Sequence, residues 1–170
     1  MPNPDAIHIS RITTRAIVHL KSWMPARASS HPLAPPVLND CRLLTLAPGE
    51  WLLISDNLPE QILREHAHHL REQGIAYAGP SMGLAAIELK GPAARDVLAK
   101  SSGLDLHPLR FPMGTCTRTR LAKLPVIVDY LDEKPRFELY VGRSYLPYLC
   151  SWLNDAAVEF LMPTQPVRHT

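Results

Sequence analysis

Short apolar runs rich in strand-forming residues, separated by turn residues, dominate the chain, and this pattern predicts more strands than helices. The runs that predict strands cover residues 6–12, 15–23, 41–46, 50–55, 84–90, 124–131 and 136–141. One further run, around Cys116, brings the expected total to about seven to eight strands. Tight turns at residues 47–49 and 132–135 favour antiparallel pairs between neighbouring strands.

Three stretches carry apolar residues at helical spacing, and they predict helices over residues 59–73, 93–100 and 145–160. Strands that outnumber helices and pair through tight turns predict an α+β fold, with a mixed or antiparallel sheet backed by about three helices. The length of 170 residues fits one domain over residues 1–170, with loose ends at residues 1–5 and 162–170.

The charge and composition argue against several classes of protein. The net charge is +2, from 18 basic and 16 acidic residues, and no basic cluster of the kind that binds nucleic acid is visible. No apolar run approaches the roughly 20 residues of a membrane-spanning helix, and the N-terminus lacks the pattern of a secretory signal. The widely spaced cysteines Cys41, Cys116 and Cys150 predict reduced thiols and a cytoplasmic location.

The connector over residues 104–114, with the sequence LDLHPLRFPMG, contains more apolar groups than a solvated loop needs. Its two prolines and its glycine argue against a helix or a strand. The side chains of Leu106, Leu109 and Phe111 predict that the connector packs against its own domain or against another protein.

Few residues carry a recognisable catalytic pattern. Asp105 and His107 are the best candidates for an acid–base pair, but we favour the alternative that Asp105 caps a turn and His107 bonds locally. Arg118 and Arg120 share one face of a predicted strand, where they could bind a carboxylate or pair with acidic residues of a partner. A histidine cluster on the helix at 59–73 lacks companion metal ligands and is interpreted as polar helix surface. Its members are His66, His68 and His69.

Five segments, taken in order, resemble one family. They are APGEWLLIS at 47–55, GPAARDVLAK at 91–100, LDLHP at 104–108, FPMGTCTRTRLAKLPVIV at 111–128 and FELYVGRSYLPYLCSWLNDAA at 137–157. Single pieces such as GPAARDVL occur in many strand–helix units, but the ordered set is specific. It covers roughly residues 42–160 and resembles the gamma subunit of heterotetrameric sarcosine oxidase.

This resemblance implies a fold similar to the folate-binding domain of the glycine-cleavage aminomethyltransferases. It also implies a non-catalytic subunit that braces a complex with alpha, beta and delta subunits. Such a complex oxidises sarcosine to glycine with oxygen and produces hydrogen peroxide. The released carbon becomes 5,10-methylenetetrahydrofolate or formaldehyde. The resemblance places the flavins, FAD and FMN, on beta, NAD and the folate-type domain on alpha, and zinc on delta, and no cofactor on this chain.

The residues expected to contact partner subunits lie on the connector and on the following strand. They are Leu106, Leu109, Arg110, Phe111, Arg118 and Arg120. Two alternatives stay open. The chain could be a stand-alone folate-binding or one-carbon transfer protein of the same fold, although the acidic residue that meets the pterin in that family has no matching position here. It could also be the equivalent subunit of a related dehydrogenase of N-methyl amino acids, such as N-methylglutamate.

Overall fold

The computed structural model of the protein describes residues 5–13, 16–23, 41–56, 68, 70–72, 74–78 and 83–161. In chain order the strands are β1 (His8–Ile12), β2 (Ala16–Ser22), β3 (Cys41–Ala47), β4 (Glu50–Ser55), β5 (Ile75–Ala78), β6 (Leu84–Lys90), β7 (Cys116–Leu121), β8 (Leu124–Asp132) and β9 (Arg136–Gly142). The helices are α1 (Ala94–Ala99) and α2 (Leu146–Leu161), with a 3₁₀ turn at Arg143–Tyr145. Residues 68 and 70–72 are also helical, and the rest of the helix predicted at 59–73, with His66 and His69, lies outside the described residues.

These elements confirm the predicted α+β class, and the strands form two sheets. One sheet has the strand order β1-β6-β9-β8-β7, and the other has the order β3-β4-β2-β5. The chain divides into two compact units, Met1–Arg11 with Ala86–Thr170, and Ile12–Ala85. The single domain predicted over residues 1–170 stays a prediction. Within the described ranges, no helix is long and apolar enough to cross a membrane.

The unit of residues 12–85 is built on the predicted hairpin at residues 41–55, which is confirmed. β3 and β4 pair antiparallel with Leu43 opposite Leu53, and β2 pairs antiparallel with both β4 and β5. Because side chains alternate along a strand, these strands bury an apolar face. The buried cluster consists of Val18, Leu20, Trp51, Leu53, Leu70 and Ile75.

In the other unit, α1 and α2 pack on one face of the five-stranded sheet, the helix-bearing face. The strands β8 and β9 pair antiparallel, so that Val126, Val128 and Tyr130 lie opposite Val141, Leu139 and Phe137. These six side chains belong to one buried cluster with the apolar sides of both helices. The helices contribute Ala94, Val97, Leu98, Leu149, Leu153, Ala156 and Ala157. The apolar stripe predicted for α1 is therefore confirmed.

The opposite face of this sheet, the polar face, carries charged and polar side chains. Because side chains alternate along a strand, Asp129 of β8 and Glu138 of β9, which lie opposite each other, point away from the helices. Their exposed fractions are only 2% and 1%. Charged groups buried to this extent require compensating partners, because burial removes their hydration.

Gly91, between β6 and α1, lies where two other segments meet. Its N–H donates a hydrogen bond to the carbonyl of Pro135 at 2.9 Å. The chain at Gly91 also crosses the segment at Ala6, where the N–H of Ala93 donates a hydrogen bond to the carbonyl of Ala6 at 2.9 Å. The φ angle of Gly91 is +125°, and a β-carbon at this position would lie 2.7 Å from the carbonyl oxygen of Ala6. Only glycine fits this crossing without strain.

A two-residue turn joins β7 to β8, with Leu121 opposite Leu124. Both turn residues have positive φ angles, 51° at Ala122 and 68° at Lys123. Such turns match the twist of a hairpin and favour asparagine and glycine, whereas other residues lose about 1 kcal/mol in this conformation. The hydroxyl of Ser101 accepts a hydrogen bond from the N–H of Ala122 at 2.9 Å, which stabilises the turn.

Candidate partner-binding surface

The connector is held on its own unit by Arg95 of α1. The guanidinium donates a hydrogen bond to the carbonyl of Leu106. It also lies over two buried rings, at 4.4 Å from the ring centroid of Tyr130 and 5.4 Å from that of Phe137. Phe111 stacks on Tyr130 with a centroid distance of 6.4 Å. Of the two alternatives for the connector, packing against its own domain therefore holds for these residues.

The segment of residues 105–111, which we call the Leu109 turn, is fixed by hydrogen bonds on both sides of its tip. The carboxylate of Asp105 accepts a bond from the backbone N–H of His107 at 3.0 Å. The Nδ1 atom of His107 accepts one from the N–H of Leu109 at 3.3 Å. The carbonyl of His107 accepts bonds from the N–H groups of Arg110 and Phe111, both at 2.8 Å. Asp105 and His107 thus act as turn residues, which is the interpretation that the sequence favoured.

The far end of the connector is also fixed, because it continues the pairing of β7 with β8. The N–H of Gly114 donates to the carbonyl of Tyr130 at 2.8 Å, and the N–H of Tyr130 donates to the carbonyl of Thr115 at 3.0 Å. Between the two fixed ends, Met113 is half-exposed. The connector therefore presents its exposed side chains from a backbone that is hydrogen-bonded at both ends.

The candidate contact residues of the connector differ sharply in burial. Leu106 and Phe111 are buried members of the core cluster beneath the helices. Leu109 is 86% exposed at the tip of its turn, and Arg110 beside it is also exposed. Of the candidate contact residues on the connector, only Leu109 and Arg110 are therefore accessible, while Leu106 and Phe111 are buried in the core. Whether each of these residues contacts a partner stays a prediction.

The structure does not bring the two candidate arginines of β7 onto the face where Leu106 and Phe111 are buried. Arg118 lies opposite Ile127 and Arg120 lies opposite Pro125 on β8. Residues opposite each other in an antiparallel pair share a face, so both arginines belong to the polar face. Both are exposed. Arg118 and Arg120 therefore lie on the opposite face of the sheet from the buried side chains of Leu106 and Phe111.

A partly buried polar network on the polar face was not predicted from the sequence. The Tyr140 hydroxyl donates a hydrogen bond to Glu138. The Arg136 guanidinium lies 3.8 Å from Glu138 and donates to Glu88 at 2.6 Å. The sequence feature that could have revealed this network is a single acidic residue in each of two apolar runs, VIVDYL and FELYV. The predicted turn at 132–135 places these two runs opposite each other. Among the described residues, no group of three or more His, Cys, Asp and Glu side chains could hold a metal ion.

Replacing Arg95 by Met is expected to lower the free energy of unfolding by about 1–3 kcal/mol, because the carbonyl of Leu106 loses its charged donor and two rings lose a cation. Amide hydrogen exchange around Leu109 should become faster, since the connector is held by this side chain. Lys90→Met, at an exposed position at the end of β6, is the matched control and should change neither quantity. Unchanged exchange in the Arg95 variant would contradict this role.

The family model and the relatives that match this chain name the same family. A family model described as "Sarcosine oxidase, gamma subunit family" matches residues 33–159. The sarcosine oxidase subunit gamma of Corynebacterium sp. (strain U-96) is 31% identical over 118 residues, which is 69% of this chain and 57% of that relative. The chain thus matches little more than half the length of this curated relative.

Two solved structures share the fold. A heterotetrameric sarcosine oxidase from Corynebacterium sp. U-96, in complex with pyrrole 2-carboxylate, matches with a TM-score of 0.81 and 24% identity over 96% of this chain and 89% of that chain. The glycine cleavage system aminomethyltransferase T from Bartonella henselae matches with a TM-score of 0.55 and 12% identity over 87% of this chain and 45% of that chain. The predicted similarity to the fold of the glycine-cleavage aminomethyltransferases is confirmed.

Proposed function

Because this chain belongs to the sarcosine oxidase gamma subunit family, we propose that it is the gamma subunit of a heterotetrameric sarcosine oxidase and supplies binding surface rather than a catalytic site. The observation that carries this proposal is the Leu109 turn, where a leucine that is 86% exposed stands on a backbone fixed at both ends. The names of the relatives and the shared fold support the same assignment.

The Leu109 turn has the properties of a docking element. An apolar side chain held out into water gains free energy when a partner covers it. Since its backbone is already fixed by local hydrogen bonds, little conformational entropy is lost on binding. The buried rings of Phe111 and Tyr130 beneath the turn keep its position constant. Association through such a pre-formed knob requires a complementary apolar pocket on the partner subunit.

In this proposal the chemistry belongs to the alpha, beta and delta subunits, which are this chain's partners. They hold FAD, FMN, NAD, zinc and tetrahydrofolate, and this chain holds none of these cofactors. The complex oxidises sarcosine to glycine, reduces oxygen to hydrogen peroxide and releases the carbon as formaldehyde or 5,10-methylenetetrahydrofolate. We place this complex in the cytoplasm. The equivalent subunit of a dehydrogenase of other N-methyl amino acids would have the same role, since its substrate too would be bound by partner subunits.

A second candidate function follows from the similarity in fold to an aminomethyltransferase. On this alternative the isolated chain would bind a folate and transfer one-carbon units by itself. It predicts heat on calorimetric titration of the isolated chain with tetrahydrofolate. The gamma-subunit proposal predicts no heat at any concentration that the ligand permits.

Omission of this chain from co-expression with the other subunits tests the main proposal. We expect a large loss of assembled complex, because the bracing surface is missing, together with an unchanged rate of peroxide formation per flavin in the complex that remains. The isolated chain should produce no peroxide from sarcosine. A reduced rate per flavin in assembled material lacking this chain would contradict a role without catalytic groups.

A further inference from the structure

The segment of residues 106–128 has an unusual charge pattern. It contains four of the chain's 18 basic residues and no aspartate or glutamate. These four are Arg110, Arg118, Arg120 and Lys123. All four are exposed. No acidic residue lies between these four in the sequence, so this stretch is locally basic even though the net charge of the chain is only +2.

Three of the four lie on one hairpin, which we call the basic hairpin and define as Arg118, Arg120 and Lys123 on β7 and its turn to β8. Arg118 and Arg120 stand on the same face, two residues apart, and Lys123 occupies the turn that follows. In the part of the chain that the structure describes, Arg120 and Lys123 form no ion pair. Other cations of the same unit are paired, since Lys100 lies 2.7 Å from Glu159 and Arg136 lies 2.6 Å from Glu88.

The backbone conformation of Lys123 is unfavourable for lysine. Its φ angle of 68° lies in the left-handed region, where glycine would be free of strain. No hydrogen bond or ion pair of its side chain within the described residues offsets this strain. The turn conformation therefore does not favour lysine at this position, and the exposed ammonium group can pair with an anionic partner.

We propose that the basic hairpin binds a carboxylate-rich protein surface on another subunit of the complex. This inference rests on the proposed function and adds the chemistry of the partner. Arginine side chains on an exposed strand face bind carboxylates in a bidentate manner. The positive patch is small and confined to one hairpin, unlike the extended basic faces of nucleic-acid-binding proteins. Its charge complement is a cluster of aspartate and glutamate side chains.

Lys123→Gly gives the sharpest test, because its two expected effects have opposite signs. Relief of the turn strain should raise the thermal midpoint of the isolated chain by about 2–4 °C. Loss of the charge should slow association with the co-expressed partner subunits by about threefold at low salt, because exposed charges at a contact mainly set the association rate. The matched control is Lys134→Gly, a lysine in the turn at the other end of β8, whose replacement should leave the association rate unchanged.

Arg120→Glu extends the test from loss to reversal of charge. Association should slow by about tenfold or more at low salt, and its dependence on salt concentration should weaken. Lys134→Glu is the control for the same change in net charge. An Arg120→Glu chain that associates as fast as the wild type at every salt concentration would overturn the inference and leave the gamma-subunit assignment intact. A wild-type chain that binds no partner subunit would overturn both the inference and the gamma-subunit assignment. A wild-type chain that binds a DNA duplex more tightly than it binds those subunits would also overturn both.

Discussion

Alanine replacements at Leu109 and Phe111, two residues apart on the connector, should have opposite consequences. Phe111→Ala should lower the free energy of unfolding by about 3–5 kcal/mol, because a buried ring that stacks on Tyr130 is replaced by a cavity. Leu109→Ala should change this free energy by less than about 0.5 kcal/mol, since the side chain is exposed. The same Leu109 variant should weaken association with the partner subunits by about tenfold or more, as expected for an apolar hot spot.

Urea unfolding of the isolated chain measures the first quantity, and titration against the partner subunits measures the second. Val158→Ala serves as the control for Leu109, because Val158 is also an exposed apolar residue but lies on α2. It should alter neither quantity. Equal losses of stability in the two connector variants would contradict the division into a buried anchor and an exposed contact. If the Leu109 variant associates with the partner subunits as tightly as the wild type, the docking role proposed for the Leu109 turn is wrong.

Gly91→Ala, which adds a single methyl group, should destabilise the protein strongly. A φ angle of +125° is unfavourable for alanine and contributes about 1–3 kcal/mol of strain. The added β-carbon would also lie 2.7 Å from the carbonyl oxygen of Ala6, 3.0 Å from its carbonyl carbon and 3.0 Å from the Cα of Ile7. All three atoms belong to the backbone and cannot move away cheaply, so the overlap adds about 1–3 kcal/mol. The two effects add to about 2–6 kcal/mol, a large fraction of the stability of a typical domain, which is about 5–15 kcal/mol.

Gly103→Ala is the matched control for this prediction. No heavy atom lies within 4 Å of a β-carbon placed there, and the φ angle of Gly103 is not in the left-handed region. Its stability should stay within about 0.5 kcal/mol of the wild type, or rise slightly as the unfolded chain loses freedom. Chemical unfolding of both variants, with far-ultraviolet circular dichroism as the readout, checks the pair. A Gly91 variant as stable as the Gly103 variant would contradict the close crossing of these segments.

Local patterns in the sequence predicted most of the described strands and the hairpins, because apolar runs and turn chemistry act over a few residues, but β5 (Ile75–Ala78) was not predicted. The hairpins at 41–55 and 124–141 and the apolar stripe of α1 follow from such patterns. The division of the strands into two sheets does not, because it depends on which distant strands pair. The pairing of β1 with β6, for example, joins segments that are separated by four intervening strands.

The candidate surface was predicted only in part. The excess of apolar groups in the connector correctly indicated packing, but spacing alone cannot say which of Leu106, Leu109 and Phe111 points inward. That depends on Arg95, whose guanidinium reaches the connector and the rings beneath it. The shared face of Arg118 and Arg120 followed from their spacing. Their separation from Leu106 and Phe111 required the register of β7 on β8, which the sequence does not reveal.

The most direct test of the gamma-subunit assignment is purification through a tag on this chain from its native cells, with the mass and the flavin content of the product measured together. We predict one complex that contains this chain in equal number with larger flavin-bearing subunits and produces hydrogen peroxide when sarcosine is added. The Leu109→Ala chain should recover markedly less of it. Recovery of the wild-type chain alone, without flavin, while the sarcosine-dependent peroxide activity of the same cells elutes elsewhere, would contradict the assignment.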